Sequence, residues 1–161
     1  MSKDIKQFHS PSKGKMSLDG VIREIKSYIK EQPDREYKIV IGTDSFPSGS
    51  IDYVTAIVVH RKGRGGRYFW IREHKPGKTP TLRNRMYEEV ARSISTTQQV
   101  IEKFGPTAIE KHDVEVHIDV GKAGPTREMI SEVVGMVKGN GFVAKTKPDS
   151  YAASTIADKY T

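Results

Sequence analysis

The chain contains no cysteine. That excludes disulfides, thiolate zinc sites, iron–sulfur clusters and cysteine nucleophiles, and it suits a reducing compartment. Tryptophan occurs once, and aromatic residues make up only 8%. No apolar run approaches the roughly 20 residues of a membrane span, and no signal-peptide core follows the charged start, so the expected location is the cytoplasm. Acidic residues are outnumbered. Against 20 Asp and Glu stand 27 Lys and Arg, a formal net charge of +7 with a pI near 9.5. An excess of that sign favours polyanionic partners, although a solubilising surface gives the same count. What is present is a globular composition: 35% hydrophobic, 29% charged and a mean hydropathy of −0.58 over 161 residues. That length suits one compact domain.

Residues 1–15, MSKDIKQFHSPSKGK, are polar, lysine-rich and broken by Pro11 and Gly14. They read as a flexible basic arm ahead of a single domain over 16–161. A helix is expected from Ser17, a good N-cap, because Leu18, Val21, Ile22, Ile25, Tyr28 and Ile29 keep helical spacing up to Pro33. A first strand over 37–42 feeds a Gly-Thr-Asp-Ser turn. A second over 52–60 and a third over 68–72 are joined by the basic turn Arg61-Lys-Gly-Arg-Gly-Gly-Arg67, the signature of an antiparallel hairpin. A long helix is expected over 82–103, a strand over 114–120, a helix over 126–137, a strand over 142–146 and a final helix from Pro148. The order after the first helix is β-β-β-α-β-α-β-α. It predicts an α/β fold with a mixed five-stranded sheet in which the first and fourth strands are neighbours.

Four carboxylates fall at structural junctions. Asp44 follows the apolar end of the first strand, where Asp and Ser are also ordinary turn formers. Asp119 lies between Ile118 and Val120 near the end of the fourth strand. If the two strands are neighbours, both acids emerge at one edge, where open α/β sheets place their ligands. Paired carboxylates repel, and a divalent cation such as Mg²⁺ or Mn²⁺ relieves that with all-oxygen ligation. On the long helix, about 100° per residue from Leu82 puts Glu89 on the flank of the apolar stripe and Glu88 toward solvent. Glu89 can therefore look along the sheet. Asp158 lies among Ala152, Ala153, Ile156 and Ala157, where an acid that is packed down needs a partner.

These residues, in this order, resemble the ribonuclease H-like superfamily. Within it the chain is similar to the small bacterial YkuK-type RNase H-like family. The matching stretches are Ile41-Gly-Thr-Asp-Ser45, Arg85-Met-Tyr-Glu-Glu-Val-Ala-Arg-Ser93, Ile118-Asp-Val-Gly121, Gly135-Met-Val-Lys-Gly-Asn-Gly-Phe142 and Lys147-Pro-Asp-Ser-Tyr-Ala-Ala-Ser-Thr-Ile-Ala-Asp-Lys159. The resemblance implies an RNase H-like fold with an extra N-terminal helix. It implies that Asp44, Glu89, Asp119 and Asp158 hold two Mg²⁺ or Mn²⁺ ions, and an acid on the last helix resembles the RuvC-like and exonuclease-like branches. The activity it implies is a nuclease cutting RNA, DNA or a hybrid by a two-metal mechanism. The same fold also carries non-catalytic relatives, so a nucleic-acid-binding module is the alternative. An actin-like ATPase needs two such domains, for which the chain is too short.

For nucleic-acid contacts the expected residues are Arg61, Lys62, Arg64 and Arg67 of the basic turn, with Lys122 and Lys147 just past strand ends. Tyr68, Phe69 and Trp70 beside that turn offer stacking faces, or a core tryptophan under a solvated tip. The histidines are scattered; His74, after the third strand, is the one in a suggestive place. Gly-Lys-Ala-Gly at 121–124 lacks the spacing of a nucleotide-triphosphate loop.

Overall fold

The computed structural model describes residues 6–105, 113–120 and 127–146. The strands are β1 (Phe8–Ser10), β2 (Gly14–Met16), β3 (Tyr37–Ser48), β4 (Ser50–Arg61), β5 (Gly66–Lys75), β6 (Asp113–His117) and β7 (Val143–Lys145). The helices are α1 (Leu18–Glu31), α2 (Leu82–Phe104) and α3 (Ile130–Gly139), the last preceded by a short 3₁₀ turn, Arg127–Met129. The strands form one mixed sheet in the order β2-β1-β5-β4-β3-β6-β7. Its core is the expected one: β3 pairs antiparallel with β4 and parallel with β6, and β6 pairs parallel with β7. The final helix expected from Pro148 lies outside the described residues.

Two departures from the sequence reading matter. Residues 8–16, read as part of a flexible arm, form a hairpin that adds two strands to the sheet through the pairing of His9 with Trp70. Phe8 explains it: its ring is buried in the main core, an anchor that the polar residues around it conceal. The second departure is β3. It does not end at Gly42 but runs on to Ser48 and turns at Gly49, whose φ of +83° suits glycine. Pro47 is tolerated because β6 pairs β3 only as far as Gly42, leaving β4 as the partner there.

All three helices pack on one face. Along β3 the side chains alternate: Tyr37, Ile39 and Ile41 join Val21, Ile25 and Val100 in one core, and Val40 turns to the other face with Ala56, Val58 and Tyr68. A second core joins Met86, Val90 and Ile94 of α2 to Val116 and Ile118 and to Val133 and Val137 of α3. Both long helices begin as their sequences require. Ser17 accepts from the Gly20 amide and Thr81 from the Asn84 amide, each at 3.2 Å.

Arg61 belongs to this framework. Its side chain is buried, its guanidinium lies 3.9 Å from the centre of the Tyr28 ring, and it donates to the Tyr28 carbonyl at 2.8 Å and the Tyr37 hydroxyl at 3.1 Å. It ties the end of β4 to the end of α1. We therefore expect Arg61→Ser to lower the melting temperature by several degrees, because stacking, hydrogen bonds and charge go together. Arg61→Lys should restore little of it, since an ammonium cannot reproduce the planar fork. A calorimetric scan of the two variants checks this.

Candidate functional site

The parallel ladder between β3 and β6 ends at Gly42 and His117. Asp44 lies two residues further along β3, and Asp119 two residues past the end of β6. Asp44 remains in β3, paired with Val54 of β4. At Asp119 the chain turns: Val120 N–H donates to the Ile118 carbonyl at 2.9 Å, closing a one-residue turn around it. Past the last pair the two strands part, and α2 crosses above the opening. A tight cleft with no room for a water molecule lies there, lined by Thr43, Glu89, Ser93, His117 and Asp119 among others.

Glu89 is the buried acid of the group, 7% exposed. Ser45 Oγ donates to Glu89 Oε2, and Arg85, one helical turn before Glu89, donates through Nε to Ser45 Oγ at 3.2 Å. Burial pushes the Glu89 carboxyl up to about 7, and the charge of Asp119 adds to the push against the Ser45 hydroxyl and Arg85. Beside it Thr43 Oγ1 lies 2.8 Å from Ser93 Oγ and 3.0 Å from Thr55 Oγ1, all buried. Over β3 and β4 the helix therefore meets this end of the sheet through hydroxyls, while its contact with β6 stays apolar. Glu88, expected to face solvent, is half-buried in an ion network with Arg92 at 2.8 Å and Lys75 at 3.6 Å.

The structure brings Glu89 and Asp119 together but not all the expected acids. Ser45 and Thr43 point to α2, so strand alternation turns Asp44 to the opposite face, the face of Glu115 and His117. Among the described residues no group of three or more His, Asp or Glu stands close enough to hold a metal ion. Asp158, Lys122 and Lys147 lie outside the described residues.

The basic turn does not lie beside the acids, contrary to expectation. Tyr37 pairs with Arg61, and Asp44 is seven residues further along β3, about 24 Å away. Arg61 is buried, Lys62 pairs with Glu36 at 3.0 Å, Arg67 lies over the Tyr28 ring at 4.5 Å, and Arg64 is exposed. The hairpin direction decides this: β4 runs back along β3, so its far turn returns to where β3 began. Phe69 is buried in the core, while Trp70 is half-buried and stacks on His9.

Sequence reasoning missed Ser45, Arg85 and Asp52. Arg85 carried a signal, four residues before Glu89 on the same helix face. Asp52 carried one only through the hairpin register, which sets it opposite His74. Its carboxylate lies 2.6 Å from His74 Nδ1 and accepts from Arg72 Nε at 2.7 Å. Hydrogen bonds from His74 and then Arg72 hold its pKa below the usual carboxylate range. His117 is buried with Nε2 3.0 Å from Glu115 Oε1, which places its proton on Nε2, and burial holds its pKa below the ordinary imidazole value.

The family model described as Ribonuclease H-like matches residues 20–161. A Bacillus subtilis (strain 168) protein, printed as "Uncharacterized protein YkuK", is 30% identical over 166 aligned positions, covering 96% of each chain. No solved structure matches.

The Glu89 environment predicts a pH dependence. Its carboxyl is raised from 4.5 to about 7, so between those values the native state holds more protons than the unfolded chain. The stability it contributes is complete below about pH 4.5 and is lost as pH rises through about 7. In chelator, urea unfolding should show a fall of up to about 3 kcal/mol across that window. Glu89→Gln, which keeps an acceptor for Ser45, should flatten the fall and be more stable than wild type above neutral pH.

Proposed function

The chain belongs to the Ribonuclease H-like family, and from that membership we propose that it is a metal-dependent nuclease hydrolysing phosphodiester bonds in RNA or DNA. The observation that carries the reading is the meeting of Glu89 and Asp119 where the β3–β6 ladder ends. The opening is the switch point of the sheet, where β3 continues to one side and β6 to the other. Desolvating one carboxyl beside another is costly, and a divalent cation offsets that cost.

The donor chemistry fits Mg²⁺ or Mn²⁺, hard ions that take oxygen ligands. In this proposal Asp44, Glu89, Asp119 and Asp158 would hold two ions, which would supply water activation and stabilisation of the leaving oxygen. Ser45 and Arg85 fix the rotamer of Glu89, and α2 excludes water from its inner side. Family membership points to nucleic acid as partner, and the +7 charge suits it. No described helix is long and apolar enough to cross a membrane. A second reading, a nucleic-acid-binding module that does not cut, is favoured by the placement of Asp44 on the face opposite Glu89.

The deciding assay is a panel of labelled RNA, single-stranded DNA, hybrid and four-way junction with Mg²⁺ or Mn²⁺. Cleavage should be abolished by Asp119→Asn and Asp44→Asn, nearly abolished by Glu89→Gln, and little changed by Glu88→Gln. Either ion should also raise the melting temperature, because it binds the folded state. If no substrate is cut and no ion shifts the melting, the binding-module reading stands instead.

A further inference from the structure

The outward side chains of β5 form a row that neither the carboxylate site nor the basic turn accounts for. Phe69 and Ile71 enter the core under the helices, so Tyr68, Trp70, Arg72 and His74 alternate onto the other face. Successive members are about 6.8 Å apart, twice the 3.4 Å rise of one stacked nucleotide. The row reaches the acids: Arg72 pairs with Val54, and Val54 with Asp44. Arg72 is thus two strands from Asp44, about 10 Å, on the same face.

One end of the row is built for anions. Asp52, 8% exposed, holds both Arg72 and His74, whose side chains stay 46% and 58% exposed. Ser50 Oγ lies 3.3 Å from His74 Nε2, so a hydroxyl, an imidazole and a guanidinium gather around one buried carboxylate. The guanidinium and the Ser50 hydroxyl can donate to a phosphate oxygen, and His74, its Nδ1–H given to Asp52, does so through Nε2 as the imidazolium. The other end offers stacking. His9 lies on Trp70 with ring centroids 4.3 Å apart and planes 18° off parallel.

Resting on the nuclease reading, we propose that this row is the track for a single strand of nucleic acid, with phosphate at Ser50, Arg72 and His74 and a base continuing the His9–Trp70 stack. An unpaired strand is the committed occupant because stacking needs an exposed base face, which a duplex hides. Asp52 is the positioning residue: it makes no contact with the strand and orients the two groups that do.

Trp70 is the only tryptophan, so its fluorescence reports directly on the track. In chelator, oligothymidylate and oligouridylate should quench it on binding, and the matched duplexes should not. Arg72→Ser should weaken binding and reduce the salt slope by about 0.7, and His74→Ala should weaken binding. His9→Ala should cost about five-fold or more. Asp52→Asn separates a built site from general charge. Losing an acid would tighten non-specific binding, whereas the track predicts weaker binding, measured well below the variant's own melting temperature. Single strands that bind without altering Trp70 fluorescence, or more tightly to Asp52→Asn, overturn the track. Loss of cleavage in Asp119→Asn alongside full binding and cleavage in the β5 variants would keep the nuclease and remove the track. Quenching without cleavage by the wild type would do the reverse.

Discussion

The parallel ladder between β3 and β6 runs for five registered pairs, from Lys38 with Asp113 to Gly42 with His117, and then stops. Parallel neighbours need a crossover, and α2 supplies it by lying across the helical face of the sheet. Because the pairing stops while β3 continues, the strands part beneath that helix. The candidate site follows from this opening: Asp119 just past the end of β6, the tight cleft beneath α2, and the descent of Glu89 into it, while Asp44 takes the opposite face of β3. A longer ladder would close the cleft. A register slip of one residue would turn Asp119 and His117 into the second core and put Ile118 on the other face.

The interface of α2 with the sheet divides into two chemistries. Toward its C-terminal half Val100 joins the hydrocarbon of α1, β3 and β5, whereas near its start Thr43, Thr55, Ser93, Ser45 and Glu89 form a hydroxyl and carboxyl layer. Such a layer is worth less for stability than well-packed apolar side chains, and it is costly wherever a member is unpaired. Its members are paired with one another, which locks their rotamers. The gain is a carboxyl held in place at a protein interior, close to another carboxyl, a combination that a purely apolar contact cannot provide.

Charge is distributed with a similar division of roles. The basic turn, though rich in arginine, serves mainly the fold: Arg61 is sandwiched against Tyr28 and Tyr37, and Arg67 covers Tyr28 from outside. Among the described residues, the cations at the acid end include Arg72, Lys75, Arg85 and Arg92, each tied to a carboxylate or a serine. Net charge therefore overstates the freedom of individual basic groups, and a cluster of arginines in sequence says little about where positive potential meets a ligand.

The amino-acid sequence by itself determined the order of the elements from α1 to β7, the adjacency of the first and fourth strands, the N-cap at Ser17 and the choice of Glu89 over Glu88 for the inward position. These depend on local periodicity and on the short list of allowed topologies. Residues 8–16 and the second half of β3 were hidden because pairing across the sheet overrides the turn propensity of Gly, Asp, Ser and Pro. Only the tertiary structure decided which end of the sheet carries the basic turn, which face Asp44 takes and which acid holds His74. Those facts depend on strand direction and register, which bring together residues far apart in the chain and leave no trace in local sequence.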